Sequence, residues 1–372
     1  MVRKRPLRIA FGVLSIGLGH ATRSLPVITE LIARGHEVHV LSSGRSLVFL
    51  REALGDSASF TELSDYSLSD TMHAEKGASV GRFALSFPLY ASQVVSEHRR
   101  FLRWFKKTPC DCIVSDTRFG FYHEVPSFLI FHHFRLDTSV PGSRKITERV
   151  LSLVRHTFDH VFIPDYEEPC LAGEIAHGLT FIPEEMISYV GVLSMVRPLG
   201  LERDVPLFVS ISGPEPQRTV FERAIMDRIG ELPEGSVITL GNLEDRSVRM
   251  IGGVSVHGSL GREEQERMLN RAQLVLTRSG YSTIMDLAQA GTRGLLIPTK
   301  GQPEQEYLAR YHASKGNYYS TRLEDLDLKR QLPIARSFPG FIVPHRSDES
   351  VRRIVEMIER SVSDEGDDRR DR

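Results

Sequence analysis

Ser279 and Gly280 form a turn of small residues between an apolar run, Leu274 to Leu276, and a stretch with helical spacing from Thr283 to Ala290. A helix opening on such a turn, here through Tyr281, Ser282 and Thr283, presents backbone N–H groups and the positive end of its dipole. That is chemistry suited to a phosphate. Asp286 lies about two turns along, within reach of a sugar hydroxyl beside that phosphate. Gly291 ends the helix where a left-handed residue is required. An ordinary strand-turn-helix unit of an α/β domain has the same local pattern. Downstream, Leu295 to Ile297 and Pro298 lead to a Gln- and Glu-rich turn, Gln302-Pro303-Glu304-Gln305-Glu306.

A second turn, Ser15-Ile16-Gly17-Leu18-Gly19-His20, follows the apolar run Leu7 to Leu14. Gly17-x-Gly19 invites comparison with the dinucleotide fingerprint, but that pattern needs an acid at the end of the next strand to hold a ribose. Here the strand ends Leu41-Ser42-Ser43-Gly44, and His20 and Arg23 follow Gly19 without a further glycine. The sequence therefore argues against a nicotinamide-dependent dehydrogenase. Two other strand ends carry polar candidates: Asp116 after Cys112-Ile113-Val114-Ser115, and the pair His132-His133. Asp116 is open to a helix cap or an ion pair with Arg118. The two histidines are open to a pair with one ring buried and one solvated.

Composition narrows the classes. Lys and Arg number 47 against 48 Asp and Glu, a net charge of −1, which excludes a global nucleic-acid footprint. At 372 residues the chain exceeds one typical core and suits two α/β domains. No signal-peptide pattern and no bilayer-length apolar run are visible, so the expected compartment is the cytoplasm. Cys110, Cys112 and Cys170 give no disulfide framework. Cys110 and Cys112 are expected to be buried on one face of a strand. Eleven of the 14 histidines precede residue 198, yet no His-x-His or H-E-x-x-H spacing occurs, and no metal is expected. The Asp-x-Asp at Asp325-Leu326-Asp327 reads as a solvated turn.

The elements that must position these residues alternate. In the first half they are a strand at Leu7 to Leu14, a helix at Ala21 to Arg34 closed by Gly35, and strands at Glu37 to Leu41, Cys112 to Ser115 and Ser127 to Phe131. Val161 to Ile163 is expected to be the last strand of that half. Strands at Leu207 to Ile211, Val237 to Leu240, Val254 to Val256, Leu274 to Leu276 and Leu295 to Ile297 make up the second. Such alternation predicts α/β domains with parallel sheets and right-handed crossovers. Residues 1–197 and 198–348 read as two domains, parted in the Pro- and Gly-bearing stretch Val196 to Gly200. Residues 349–360 read as a terminal helix able to pack back on the first domain. Residues 361–372, charged and apolar-poor, are expected to be disordered.

Arg278-Ser279-Gly280, an acid at Asp286, Ala288-Gln289-Ala290-Gly291, the Leu295–Pro298 strand and the Gln302–Glu306 turn together resemble the donor-binding half of family 28 glycosyltransferases. That is the family of the UDP-N-acetylglucosamine transferase of lipid-linked peptidoglycan precursor synthesis. The resemblance implies the GT-B architecture, two doubly wound Rossmann-like domains facing each other across a cleft. It implies a UDP-sugar donor, a hydroxyl acceptor and inversion, with no metal required. Asp286 would hold the ribose, though the family usually carries Glu there, and Gln302 and Gln305 would touch the donor sugar. Ser279, Gly280, Tyr281, Ser282 and Thr283 would face the diphosphate. Gly261 and Arg262 would lie near the base.

Gly17-Leu18-Gly19-His20, with Pro26 following, resembles the family's first loop. By that likeness Gly17 and Gly19 join the donor contacts and His20 becomes the candidate base, a role suited to a group titrating near neutral pH. Taken alone, His20 could equally pack or cap a helix. Asp116 lies in a segment, Pro109 to Asp116, that resembles family 1 glycosyltransferases, where the strand-end Asp orients the base His. The loop Ser212-Gly213-Pro214-Glu215-Pro216-Gln217-Arg218 departs from the family's Gly-rich loop. Its prolines lack N–H groups and Glu215 repels phosphate, so Ser212, Gly213 and Arg218 remain as contacts.

His132 and His133 are the acceptor-side candidates. From Arg82 to Lys107 there are six basic residues and one acid, interleaved with aromatic and aliphatic residues. Such a segment suits an anionic membrane surface, with Arg99, Arg100, Arg103, Trp104, Lys106 and Lys107 as its strongest part and Arg3-Lys4-Arg5 in support. An amphipathic helix with a solvated basic face has the same pattern. A lipid-linked acceptor would fit a membrane-facing segment. Two rivals stand beside the transferase: a UDP-sugar hydrolase or 2-epimerase on the same fold, and a non-catalytic nucleotide-sugar binding protein.

Overall fold

The structure, a computed structural model, describes residues 5–64, 80–136, 142–242 and 244–368, with side chains for all of these except 80–87 and 364–368. Arg3 and Lys4, and the side chain of Arg82, lie outside the described residues. The chain divides into two compact units, Met1–Met195 with His345–Arg372, and Val196–Pro344.

Among the described residues the first unit holds seven strands: β1 (Arg8–Val13), β2 (Glu37–Ser42), β3 (Ser59–Glu62), β4 (Cys112–Asp116), β5 (Ser127–Ile130), β6 (His160–Ile163) and β7 (Ile187–Tyr189). They lie in the order β3-β2-β1-β4-β5-β6-β7, and every pairing is parallel. Helices α1 (Gly19–Ala33), α2 (Gly44–Leu54), α3 (Val80–Phe105) and α4 (Ser143–Leu151) connect them. Two strands go beyond the sequence reading. β3 is an edge strand with only half-buried and exposed residues, and β7 follows Val161–Ile163, which was expected to close the sheet.

The period-two rule distributes the core. Ile9, Phe11 and Val13 face one side of the sheet with Ile28 and Leu31 of α1. Ala10 and Ile113 face the other with Phe101 and Phe105 of α3. A Cβ on Gly12 would fall 2.5 Å from the Phe121 ring, so glycine is what lets that ring lie against β1. Cys112 belongs to the first side and Cys110 to the second, so the two thiols do not share a face. The alternation rule fails for Cys110 because it precedes the strand. Burial pushes its thiol up to about 11 and raises that of Cys112 further.

The second unit holds β8 (Phe208–Ser210), β9 (Val237–Thr239), β10 (Val248–Ile251), β11 (Val254–His257), β12 (Val275–Thr277), β13 (Gly294–Leu296) and β14 (Tyr319–Ser320). Their order is β10-β11-β9-β8-β12-β13-β14, parallel except for the β10–β11 hairpin. Its helices are α5 (Gln217–Met226), α6 (Arg262–Arg271), α7 (Tyr281–Ala290), α8 (Pro303–Ser314) and α9 (Leu328–Ser337). Gly291 closes α7 at φ 61°, in the left-handed conformation expected of it.

The last helix, α10 (Ser347–Asp368), returns to the first unit. Val351, Ile354, Val355 and Ile358 enter the core that contains Ile28 and Leu31. His36 Nε2 lies 3.0 Å from Glu359, and Ser347 Oγ donates to Ser194 O at 2.9 Å. The helix runs through most of the stretch expected to be disordered from Ser361. Val362 still packs on the core and Ser363 Oγ donates to Glu359 O. A nucleated helix extends readily through polar residues, so a poor apolar content withholds burial rather than helicity. Ile354 is fully buried, and Ile354→Ala is expected to destabilise the first unit by about 2–5 kcal/mol. Urea unfolding of the full chain measures it.

Candidate active site

In the first unit β1 and β4 are neighbours, with Val13 opposite Asp116 in the register. The sheet order reverses between them, and at such a switch point the loops leaving two adjacent strands diverge and open a ligand crevice. After β1 the chain turns through Gly17 at φ 73°, and α1 begins at Gly19. His20 therefore stands in the first turn of α1. Arg23 and Ser24, three and four residues on, share its face.

All three reach Asp116, whose side chain is fully buried. His20 Nδ1 lies 2.8 Å from Oδ1. Arg23 donates through Nε to Oδ2 at 2.7 Å and through Nη2 to Oδ1. Ser24 Oγ donates to Oδ2 at 2.9 Å and Thr117 Oγ1 to Oδ1 at 3.1 Å. Burial alone would raise the carboxyl, but the Arg23 charge, then His20 and the hydrogen bonds, outweigh it and hold Asp116 far below the usual carboxylate range. An ionised carboxylate only accepts, so the His20 contact requires a proton on Nδ1 and leaves a lone pair on Nε2. That is the arrangement of an oriented general base.

Arg23, Ser24 and Thr117 are members that the sequence reading did not single out. The available signal for Arg23 was its three-residue spacing from His20 on one helix. Arg118, the partner considered for Asp116, turns the other way. It pairs with Glu97 at 2.8 Å, both side chains fully buried, and lies over the Phe121 ring. His132 is buried with Nδ1 3.1 Å from Arg23 Nη1. The His133 ring is 6.1 Å from that of His132.

The basic segment divides. Arg99, Arg103, Lys106 and Lys107 are exposed, whereas Arg100 is half-buried and donates to Ser64 O. Trp104 is half-buried too, packing against Phe101 and His39 and donating through Nε1 to Thr61 Oγ1 at 3.2 Å. Its ring is committed to the protein rather than to an outer surface.

In the second unit β8 and β12 occupy the equivalent switch point, with Ser210 opposite Thr277. The loop Ser212–Pro216 leaves β8, with Ser212 and Gly213 exposed. Ser279 and Gly280 leave β12, and Gly280 caps α7 without a side-chain oxygen of its own. Arg278 ties the loops together. Its Nη2 donates to Gln217 O at 3.0 Å, Nη1 approaches Ile297 O and Pro298 O at 3.4 and 3.3 Å, and its plane covers Phe221 at 4.2 Å. Burial lowers its pKa to about 10, and no carboxylate lies within ion-pair distance of it among the described residues. Arg218, a predicted phosphate contact, instead shares its guanidinium between Glu215 and Glu222, which neutralises Glu215 internally.

The Ser279 hydroxyl is buried and donates to Gln305 O at 2.8 Å, so it joins α7 to α8. Gln305 accepts from Thr299 N at 3.0 Å and donates to Gln302 Oε1 at 2.6 Å. Gln305 thereby orients Gln302, whose backbone N–H donates to Thr299 O at 3.1 Å. Asp286 is half-buried on α7, five residues after Tyr281. Gly261 caps α6 and donates its N–H to Glu264, and Arg262 is the first residue of that helix. Among the described residues no group of three or more His, Cys, Asp or Glu could hold a metal ion, and no helix is long and apolar enough to cross a membrane.

Residues 262–333 match the glycosyltransferase family 28 C-terminal domain, and residues 7–67 match glycosyl transferase family 1. The glycosyltransferase of kitacinnamycin superposes with a TM-score of 0.65, at 15% identity over 96% of this chain and 100% of its own. MurG of Acinetobacter baumannii gives 0.58, at 13% identity over 95% and 100%. The spinosyn rhamnosyltransferase SpnG complexed with thymidine diphosphate gives 0.57, at 16% identity over 96% and 94%. The fold is GT-B. The match of residues 262–333 to the family 28 C-terminal domain, beside these neighbours of the same fold, supports glycosyl transfer as the class of reaction. No curated protein sequence matches the chain.

The depressed Asp116 carboxyl fixes a pH dependence. Its contribution to stability is fully present above the unfolded carboxyl value of about 3.9 and is lost as pH falls toward the lower folded value. Asp116→Asn leaves Arg23 buried without its counter-charge, at a cost of about 3–5 kcal/mol near neutrality. The gap to the wild type is expected to narrow steadily below about pH 4, read from urea unfolding at several pH values.

Proposed function

We propose that this chain is an inverting glycosyltransferase that moves a sugar from a nucleoside diphosphate sugar to an acceptor hydroxyl. The observation that carries the reading is the His20–Asp116 pair at the β1/β4 switch point. Inversion needs a base to take the hydroxyl proton while the diphosphate leaves from the opposite face of the sugar. His20 Nε2, with Nδ1 committed to Asp116, is that base, and Asp116 stabilises the imidazolium as it forms. In the second unit the α7 N-terminus would receive the diphosphate, Asp286 the ribose, and Gln302 the donor sugar. Arg278 would add its charge beneath that turn. The proposal needs no metal, because helix dipole and backbone donors offset the leaving charge.

UDP is the first nucleotide to test, on the family 28 match, and thymidine diphosphate the second, on the SpnG complex. The exposed cations Arg99, Arg103, Lys106 and Lys107 fit peripheral contact with an anionic inner membrane face and hence a lipid-linked acceptor.

UDP is expected to raise the melting temperature where NAD does not, and Asp286→Ala is expected to abolish the shift. His20→Ala should keep the shift and lower kcat for sugar transfer by about 10²–10⁴. A protein stabilised by neither UDP nor thymidine diphosphate sinks the donor assignment. Acceptor-independent release of UDP and free sugar as the main reaction would favour the hydrolase or 2-epimerase, and donor binding without turnover would favour a binding protein. Arg278→Met is expected to weaken UDP binding at least about tenfold by calorimetry, equivalent to about 1.4 kcal/mol.

A further inference from the structure

Arg23 contacts two histidines as well as a carboxylate, and an arginine side chain can only donate. Its Nε serves Asp116 Oδ2, and the two hydrogens of Nη2 serve Asp116 Oδ1 and Thr117 Oγ1. Nη1 reaches His132 Nδ1 at 3.1 Å. His132 Nδ1 must therefore accept, and a neutral ring accepting there carries its proton on Nε2. The opposite holds for His20. Its Nδ1 faces Asp116 Oδ1 at 2.8 Å and must donate to it. Nη2 also lies within hydrogen-bond distance of His20 Nδ1, at 3.0 Å, so its two hydrogens face three acceptors, and the two oxygens take them when Nδ1 carries its own proton toward Asp116.

We infer that Arg23 is a positioning residue that fixes His20 protonated at Nδ1, with Nε2 as its proton acceptor, and His132 as the opposite tautomer, protonated at Nε2. The consequence is a choice between two neighbouring imidazoles. Protonating His132 at Nδ1 would set an N–H against the Arg23 guanidinium and break the Nη1 bond. Only His20 presents an oriented lone pair to a hydroxyl. This deepens the glycosyltransferase reading and rests on it for the word base, while the tautomers themselves can be observed without any substrate.

The test is an imidazole ¹⁵N–¹H correlation spectrum of the full chain, with the two rings assigned by His20→Asn and His132→Asn. Protonated Nδ1 in His20 and protonated Nε2 in His132 are expected. A shared tautomer, or His132 protonated at Nδ1, overturns the inference. Arg23→Lys keeps a charge for the buried Asp116 but cannot bridge to His132. In that variant the His132 tautomer should become mixed, and kcat for sugar transfer should fall at least about tenfold with KM for the donor within about twofold. A variant with a lower melting temperature but unchanged tautomers and kcat would make Arg23 a structural residue only, and would also overturn it. Correct tautomers in a wild type that transfers no sugar to any acceptor would uphold the assignment of the rings and sink the transferase reading instead.

Discussion

The first unit is organised around one buried negative charge. Asp116 ends the central strand β4 with no exposure to solvent, and an isolated carboxylate there would cost far more than the unit could tolerate. Arg23, Ser24, Thr117 and His20 supply five hydrogen bonds to its two oxygens. Three of those four residues lie on the first six positions of α1, so the charge fixes the rotation of the helix as well as its entry point. The β1–β4 register then sets where the carboxylate meets that helix. What looks like a catalytic pair is, mechanically, the joint between a helix and a sheet.

A second buried ion pair lies two residues away and explains the backbone between them. Arg118 reaches Glu97 on α3 and donates to Leu63 O and Ser64 O, while Asp116 reaches α1. To send these two side chains to different partners, Thr117 adopts φ 61°, and it is the one non-glycine residue with positive φ among those described. A β-branched residue there costs on the order of 1–3 kcal/mol. The two ion pairs hold it from either side, and the Thr117 hydroxyl bonds both Arg23 and Asp116. Glycine would be less strained there, but only the threonine hydroxyl completes the shell around the carboxylate.

Much of this was legible in the sequence, for identifiable reasons. Buried parallel strands are apolar runs closed by polar residues, so β1, β4, β5, β8, β12 and β13 could be placed within one or two positions. Edge strands give no such signal. β3, β7 and β14 have no fully buried residue, and β10 is antiparallel with Val248 and Met250 exposed. His20 and Asp116 were named through their resemblance to the family loop and strand end, and their side chains lie 2.8 Å apart. Arg23 had only its three-residue spacing from His20 to mark it, since what sets it apart from the other helical arginines is a long-range partner 93 positions away. Trp104 was read as part of an outward membrane-facing surface. Only tertiary packing against Phe101 and His39 decides it.

The two units share the strand order 3-2-1-4-5-6 around their switch points, with β10 and β7 as additions, but they use it differently. At β1/β4 the polar groups are side chains with opposed charges, which suits moving a proton. At β8/β12 the charges cancel locally, as Arg218 does with Glu215 and Glu222, or have no counter-ion among the described residues, as with Arg278. The Ser279 hydroxyl and Gln305 are spent on joining α7 to α8 and on orienting Gln302. Such internal bonds hold the loops before any ligand arrives, so less ordering entropy opposes binding. On the proposed reading, a site built this way would recognise its ligand through backbone geometry and one buried cation. That leaves few side chains in the sequence from which the identity of a sugar could be read.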